Sequence, residues 1–340
     1  MYPILSVIIP CYNNGQFLAK MLDCCLRQTF KEWEVIIVDD LSTDETPQIC
    51  YSYTLKDSRI KFYLRDRQPK GSVTCRNIGF SYSKGKYVIH FDADDLISNT
   101  CFEHRVLYMD NHPNVDYATF PAVSFTDEND IPELNNADRV FGTPKGYGDV
   151  LESFLKSDYS FSTWNNIYRR EAIEDILWDE KVSIYTDFSF IIPCILKGLT
   201  HSFSNSIEAD YFYRVNHSNI AMTASFVSEQ KHLSTLYLYD KTLNSLKNRD
   251  DYNLRKEQFK KMVAVHYERL LHTGNKTYLQ QYIKLLGVFY NSLFVVRYSL
   301  ANWFSSFFAY KKYPVEFFYT VFCDKDKYMN ALKAKISGKK

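Results

Sequence analysis

Three carboxylates crowd one short stretch, YVIHFDADD at residues 87–95: Asp92, Asp94 and Asp95. The residues before them, from Tyr87 to Phe91, are mostly β-branched or aromatic and follow the turn Lys84-Gly85-Lys86, so they read as a short buried strand. Like charges at the end of such a strand repel, and their pKa values rise unless something positive sits between them. Hard oxygen ligands on alternate residues suit Mg2+ or Mn2+, and such a cation in turn holds a diphosphate. An isolated Asp-x-Asp is more often a polar turn with an acidic helix cap, so the weight falls on what surrounds it.

The surrounding elements alternate. Residues 5–10 form a buried strand, followed by the loop Cys11-Tyr12-Asn13-Asn14-Gly15 and a helical apolar spacing over 16–28. Residues 33–38 form a second buried strand ending in Asp39-Asp40, and Ser42-Thr43-Asp44-Glu45 opens the next helix. A strand over 60–64 and a helix over 71–82 precede residues 87–95. This order predicts an open parallel sheet with helices on both faces. Ligands of such sheets bind beyond the carboxyl ends of the strands. Residues 10–13, Asp39-Asp40 and 92–95 are therefore expected to line one crevice.

Beyond Asp95 the spacing predicts a helix over 99–111, one strand over 117–124, a long lid-like loop over 126–148 and a helix over 149–156. Residues 162–170 lead into another helix, Thr186-Asp187 opens a strongly apolar one over 188–196, and 208–215 is a strand. Net charge is +1, but from Asp251 onward sixteen Lys/Arg face six Asp/Glu, against 25 and 34 before it. The basic third suits an anionic partner, membrane phospholipid or nucleic acid, and no recognition motif supports the latter. Arg297 divides the apolar run 285–310 into pieces of 12 and 13 residues, too short to span a bilayer. Its aromatics, followed by Lys311 and Lys312, suit a helix lying in the membrane interface, with packing on the sheet domain as the other reading. The eight cysteines lack metal-ligand spacing and read as reduced core residues of a cytosolic protein. The N-terminus has no signal-peptide pattern.

Four motifs, Ser6-Val7-Ile8-Ile9-Pro10-Cys11-Tyr12-Asn13, Val38-Asp39-Asp40-Leu41-Ser42-Thr43-Asp44, Cys75-Arg76-Asn77-Ile78-Gly79 and Gly85-Lys86-Tyr87-Val88-Ile89-His90-Phe91-Asp92-Ala93-Asp94-Asp95, resemble family 2 glycosyltransferases of the GT-A fold in order and spacing. The resemblance is clear over residues 4–110, looser to 220, and absent from the last third. It implies an α/β fold, Rossmann-like, with a mostly parallel sheet and helices on both faces, plus a C-terminal α-helical region. The expected catalytic domain is 1–222, with a nucleotide-sugar half at 1–98 and an acceptor half at 99–222, leaving 223–340 helical.

By the same resemblance the enzyme moves a sugar from a nucleotide-diphosphate donor, most often a UDP-sugar, to an acceptor hydroxyl with inversion. Asp92 and Asp94, flanking Ala93, would hold Mn2+ or Mg2+ and the donor. Asp40 would accept the uracil N3–H, Pro10 and Tyr12 would wall the base pocket, and Asn13 would be among the donor-binding residues. Arg76 and Asn77 would meet the diphosphate or order the acidic loop, an ion pair of Arg76 with Asp39 or Asp92 being the plainer reading. Asp95 would cap a helix or touch the sugar, and Arg214 or His217 could reach the diphosphate, an ordinary surface histidine being the favoured reading of His217. The base is expected at Asp187, with Thr186 where the family usually has Glu. Asp179 and Glu180 are alternatives, and a mere helix cap is the bland reading. Leu41 replaces the family's usual Gly; leucine resists φ > 0, which predicts a differently shaped turn. Residues 164–170 resemble a segment of bacterial capsule and lipopolysaccharide sugar transferases and would border the acceptor site. The expected partner is a saccharide acceptor, polyprenyl-diphosphate-linked, at the cytoplasmic face of the inner membrane. Two other readings are a sugar-nucleotide nucleotidyltransferase, for which residues 10–15 supply no Gly-rich phosphate loop, and a non-catalytic membrane-associated module, against which the intact acids speak.

Overall fold

β1 (Leu5–Cys11) and β2 (Trp33–Asp39) are buried at every position, so both faces of their sheet are covered. Alternation assigns the faces. Val7, Ile9, Val35 and Ile37 pack in one cluster with Leu18, Met21 and Leu22 of α1 (Gly15–Leu26). Ile36 and Val38 point the other way, onto Cys75 and Ile78. After α2 (Thr46–Lys56) and β3 (Ile60–Leu64) come α3 (Ser72–Tyr82), which carries those two residues, and β4 (Tyr87–His90). The chain continues through β5 (Leu96–Ile97), α4 (Cys101–Asn111), β6 (Tyr117–Thr119), β7 (Ala122–Phe125), β8 (Val140–Phe141), α5 (Val150–Leu155), β9 (Asn166–Arg169), α6 (Arg170–Ile173), α7 (Thr186–Leu196), β10 (His201–Phe203) and β11 (Tyr211–Arg214). Two longer helices follow, α8 (Glu229–Leu246) and α9 (Tyr252–Thr273).

This computed structural model describes residues 2–134, 137, 139–204, 206, 208–215 and 228–273. The chain divides into two compact units, Met1–Phe259 and Lys260–Lys340. α8 belongs to the first unit, where Ser183 N–H donates to Ser234 Oγ at 2.8 Å. The expected boundary at 222 and the interfacial helix at 285–310 lie outside the described residues. Among those described, no helix is long and apolar enough to cross a membrane. The seven described cysteines are all buried free thiols.

The main sheet has the order β10-β6-β9-β4-β1-β2-β3, parallel throughout except that β9 runs antiparallel to both neighbours. The expected α/β, mostly parallel sheet is found. Strand order reverses at β1, with β2 and β3 on one side and β4 on the other, and a crevice opens at the carboxyl ends of such a switch point. A second sheet, β5-β11-β7-β8, stands beside it.

Two expectations are corrected. The single strand expected over 117–124 is two strands in different sheets, parted at Phe120-Pro121, where proline cannot donate to a ladder. Residues 162–170 do lead into a helix, α6, but 166–169 first form a strand that was not expected, β9 between β4 and β6. All four are buried, and Asn166 Oδ1 accepts from Thr119 Oγ1 at 2.6 Å, so distant partners decide this strand.

Candidate active site

The β1–β2 register sets Cys11 opposite Asp39, and Asp40 N–H donates to Cys11 O at 2.8 Å. On the other side, Phe91 N–H donates to Ile8 O at 3.0 Å, which carries Asp92 level with Pro10. The three strand ends therefore meet. Eight expected residues, Pro10, Tyr12, Asp40, Arg76, Asp92, Ala93, Asp94 and Asp187, line one cavity of about 300 Å3, together with Cys11, Asn14, Ser72 and Thr186.

At the β2 end, Asp40 is ion-paired with Arg65, their side chains 6% and 5% exposed. Arg65 also donates through Nη1 to Arg67 O at 2.6 Å. Sequence reasoning missed Arg65, because an arginine just past a strand carries no local sign of a partner 25 residues away. The turn after Asp40 is a correction: Leu41 does take a positive φ, 61°. Asp39 Oδ2 accepts from Ser42 N–H at 2.9 Å, Asp39 Oδ1 accepts from Ser42 Oγ, and Asn13 Oδ1 accepts from Thr43 N–H at 2.9 Å. These bonds over-determine the turn and hold leucine in a region it resists. Asn13 is thus a brace of this turn, and Asn14 stands in the cavity wall instead.

At the acidic end, Asp92 Oδ1 accepts from Arg76 Nη2. Arg76 reaches it because α3 lies close on β1: a Cβ on Gly79 would come within 2.5 Å of Ile8 Cγ2. Burial raises the Asp92 carboxyl to about 6, with Asp94 and Asp187 adding to the rise and Arg76 opposing it. Asp92 still presents a third of its side chain to the cavity. Burial also raises Asp94. Asp95 neither caps a helix nor faces the cavity. It is buried, accepts from Tyr211 Oη at 2.5 Å and from Arg214 N–H at 2.7 Å, and so bolts β11 to the acidic loop. Burial and the two neighbouring carboxylates push its pKa far up. Arg214 is likewise structural here: its Nε donates to Asp94 O at 2.6 Å and it pairs with Glu128 at 2.6 Å. His217 lies outside the described residues.

Asn77 turns away from the cavity. Its carboxamide pairs with both main-chain groups of Trp178, each at 2.9 Å. Asp187 is the second residue of α7, a helix without a side-chain cap, so capping is not its role. Its Oδ1 accepts from Thr163 N–H at 3.1 Å and from Thr163 Oγ1. The alternative bases are engaged elsewhere: Asp179 accepts from Lys241 and Tyr237, and Glu180 from Arg67 and Asn77.

No three acidic, histidine or cysteine side chains are gathered as a complete metal cage among the described residues. Asp92 and Asp94 contribute two hard carboxylates on alternate residues to one cavity, a donor set suited to Mg2+ or Mn2+ that keeps waters and phosphate oxygens as its other ligands.

The family model for glycosyl transferase family 2 matches residues 6–177, just over half the chain and ten residues short of Asp187. The chain is 26% identical over 241 residues to the uncharacterized glycosyltransferase EpsJ of Bacillus subtilis (strain 168), covering 70% of this chain and 68% of that one. It is 28% identical over 220 residues to the minor teichoic acid biosynthesis protein GgaB of the same strain, covering 62% of this chain and 23% of GgaB. Its fold is similar to that of S. aureus TarS 1-349 in complex with UDP-GlcNAc, with TM-score 0.62 and 21% identity over 85% of this chain and 80% of that one. With these matches laid over the strand-end cavity, the chain belongs to glycosyl transferase family 2 and is a glycosyltransferase.

Proposed function

We propose that this enzyme is an inverting, metal-dependent glycosyltransferase that moves a sugar from a UDP-sugar to a hydroxyl of a lipid-linked saccharide in bacterial surface polysaccharide synthesis. One observation carries the reading: Asp40, the Asp92/Asp94 pair and Asp187, from three distant parts of the chain, line one cavity. Two names support the finer points, TarS bound to UDP-GlcNAc and GgaB in teichoic acid synthesis.

In this reading Tyr12 stacks on the uracil and Asp40, fixed by its ion pair with Arg65, accepts its N3–H. Arg76 gives up Asp92 for an oxygen of the diphosphate, a partner its buried Nε lacks among the described residues. Asp92 and Asp94 would hold the divalent cation, which when bound would offset charge on the departing nucleoside diphosphate. Asp187, with Oδ1 fixed by Thr163, accepts the proton of the attacking hydroxyl through Oδ2 on the face opposite the leaving group. The basic C-terminal third would rest on anionic lipid at the cytoplasmic face of the inner membrane, each Lys/Arg contributing about 1 kcal/mol.

The test is a panel of nucleotide sugars with Mn2+ or with EDTA, read by mass spectrometry against a lipid-diphosphate sugar acceptor. A UDP-sugar should release UDP only with the cation, and Asp94→Ala and Asp187→Asn should abolish transfer. Absence of nucleoside diphosphate from every donor, or an unchanged Asp94→Ala enzyme, refutes the reading. Equal liposome flotation of the full chain and of a chain truncated before Leu285 refutes the membrane part.

A further inference from the structure

Behind the cavity lies a column of rings that the proposed chemistry does not use. Trp178 is 3% exposed and its indole stacks on Phe190 of α7, centroids 4.6 Å apart and planes at 18°. The Arg76 guanidinium lies 4.6 Å from the same indole. His90 stands edge-on to both rings, at 5.2 Å from Trp178 and 5.5 Å from Phe190. His90 is two residues before Asp92, on the line of β4, and Phe190 is three residues after Asp187, one turn along α7. The column thus runs from the acid that meets the donor to the helix that carries the base.

Its polar inventory is unusual. Trp178 Nε1, both His90 ring nitrogens and Arg76 Nε are buried without a partner among the described residues. Buried polar groups are normally hydrogen-bonded, and a core selected for stability alone would put apolar side chains here. The main chain of Trp178 is fixed as well, by the Asn77 carboxamide beside Arg76. Asp179 and Glu180 then anchor the same segment to α8 and to Arg67.

We propose that Trp178 is a positioning residue that sets the separation between the donor acids and Asp187. The proposal rests on the roles given above to Asp92 and Asp187. Trp178 touches no reacting atom. It keeps the Arg76–Asp92 side and the α7 side in register, through ring contacts on both and through the Asn77 clamp. Shortening the column lets α7 settle towards α3, and Asp187 moves relative to the donor while the donor's own ligands stay in place. A displacement of about 1 Å is enough to cost a large factor in rate.

The experiment compares Trp178→Leu, Trp178→Phe and Phe190→Leu. Each is assayed for UDP affinity by calorimetry in Mn2+, for kcat of UDP-sugar hydrolysis, and for thermal unfolding. Trp178→Leu and Phe190→Leu should lower kcat about tenfold or more, with the UDP dissociation constant within threefold of wild type. Trp178→Phe, which keeps an aromatic plate, should retain most of kcat. A folded Trp178→Leu or Phe190→Leu enzyme with wild-type kcat overturns the proposal. So does a parallel loss of kcat and UDP affinity, the mark of a merely structural role. Should Trp178→Leu not fold, Phe190→Leu against Trp178→Phe decides by the same criteria. A wild-type enzyme that neither binds UDP nor hydrolyses any UDP-sugar defeats the donor reading instead, whatever Trp178 does.

Discussion

Arg65→Met isolates the buried ion pair at the Asp40 end of the cavity. Asp40 and Arg65 are 6% and 5% exposed, so solvent cannot replace the lost guanidinium. Removing one partner of such a pair strands a buried charge, at a cost of about 3–5 kcal/mol. In a chain of this size that is a fall in Tm of about 4–7 °C. Without the guanidinium the Asp40 carboxylate also loses the partner that fixes it in place to accept an imide N–H. Stability and UDP affinity should therefore fall together in the single variant. Adding Asp40→Leu removes the stranded charge, and apolar pairs of similar volume often match buried ion pairs in stability. The double variant should recover more than half of the lost stability in urea unfolding while UDP affinity, measured by calorimetry, stays lost. The reasoning is refuted if Arg65→Met costs less than about 1 kcal/mol, or if the double variant is no more stable than the single one.

Three further outcomes follow from the same geometry. Thr163→Val removes the hydroxyl that donates to Asp187 Oδ1 but keeps the side-chain volume; kcat should fall about tenfold, the worth of one hydrogen bond to a charged group, with UDP affinity unchanged, and an unaltered kcat would show that Thr163 does not orient the base. Asp92, raised to about 6 by burial and by Asp94 and Asp187 against Arg76, contributes folding stability that is complete below its unfolded value near 4 and lost as pH rises through 6. Cation-dependent turnover needs the carboxylate and should fall as pH drops below 6, so between pH 7 and 5 activity should decrease while ligand-free wild type gains stability relative to Asp92→Asn; a stability difference that ignores pH would refute the assignment. Leu41→Asn should raise stability by about 1 kcal/mol without changing turnover, because asparagine tolerates the left-handed conformation that Leu41 holds at φ 61°; a loss in urea unfolding would mean that the leucine side chain contributes more than its backbone costs.

Much of the architecture is written locally. The buried runs of β1, β2 and β4 and the helical stripes between them repeat with periods that follow from pleat and helix geometry, so an α/β sheet and the convergence of its strand ends can be read from one chain. The residue types at those ends, three carboxylates after β4 and a pair after β2, likewise mark a place where positive partners are needed, because close like charges repel unless something positive sits between them. Tertiary structure decided what one-dimensional spacing does not encode. It split residues 117–125 between two sheets, inserted β9 against the parallel direction, and sent Asn77 to Trp178 and Asp95 to Tyr211. It also drew Arg65 onto Asp40 and forced Leu41 into a conformation its side chain disfavours. Each of these depends on contacts between residues far apart in the chain. Burial makes such contacts strong enough to override local preference, which is why the chemistry at the strand ends is legible in the sequence while its wiring is a property of the fold.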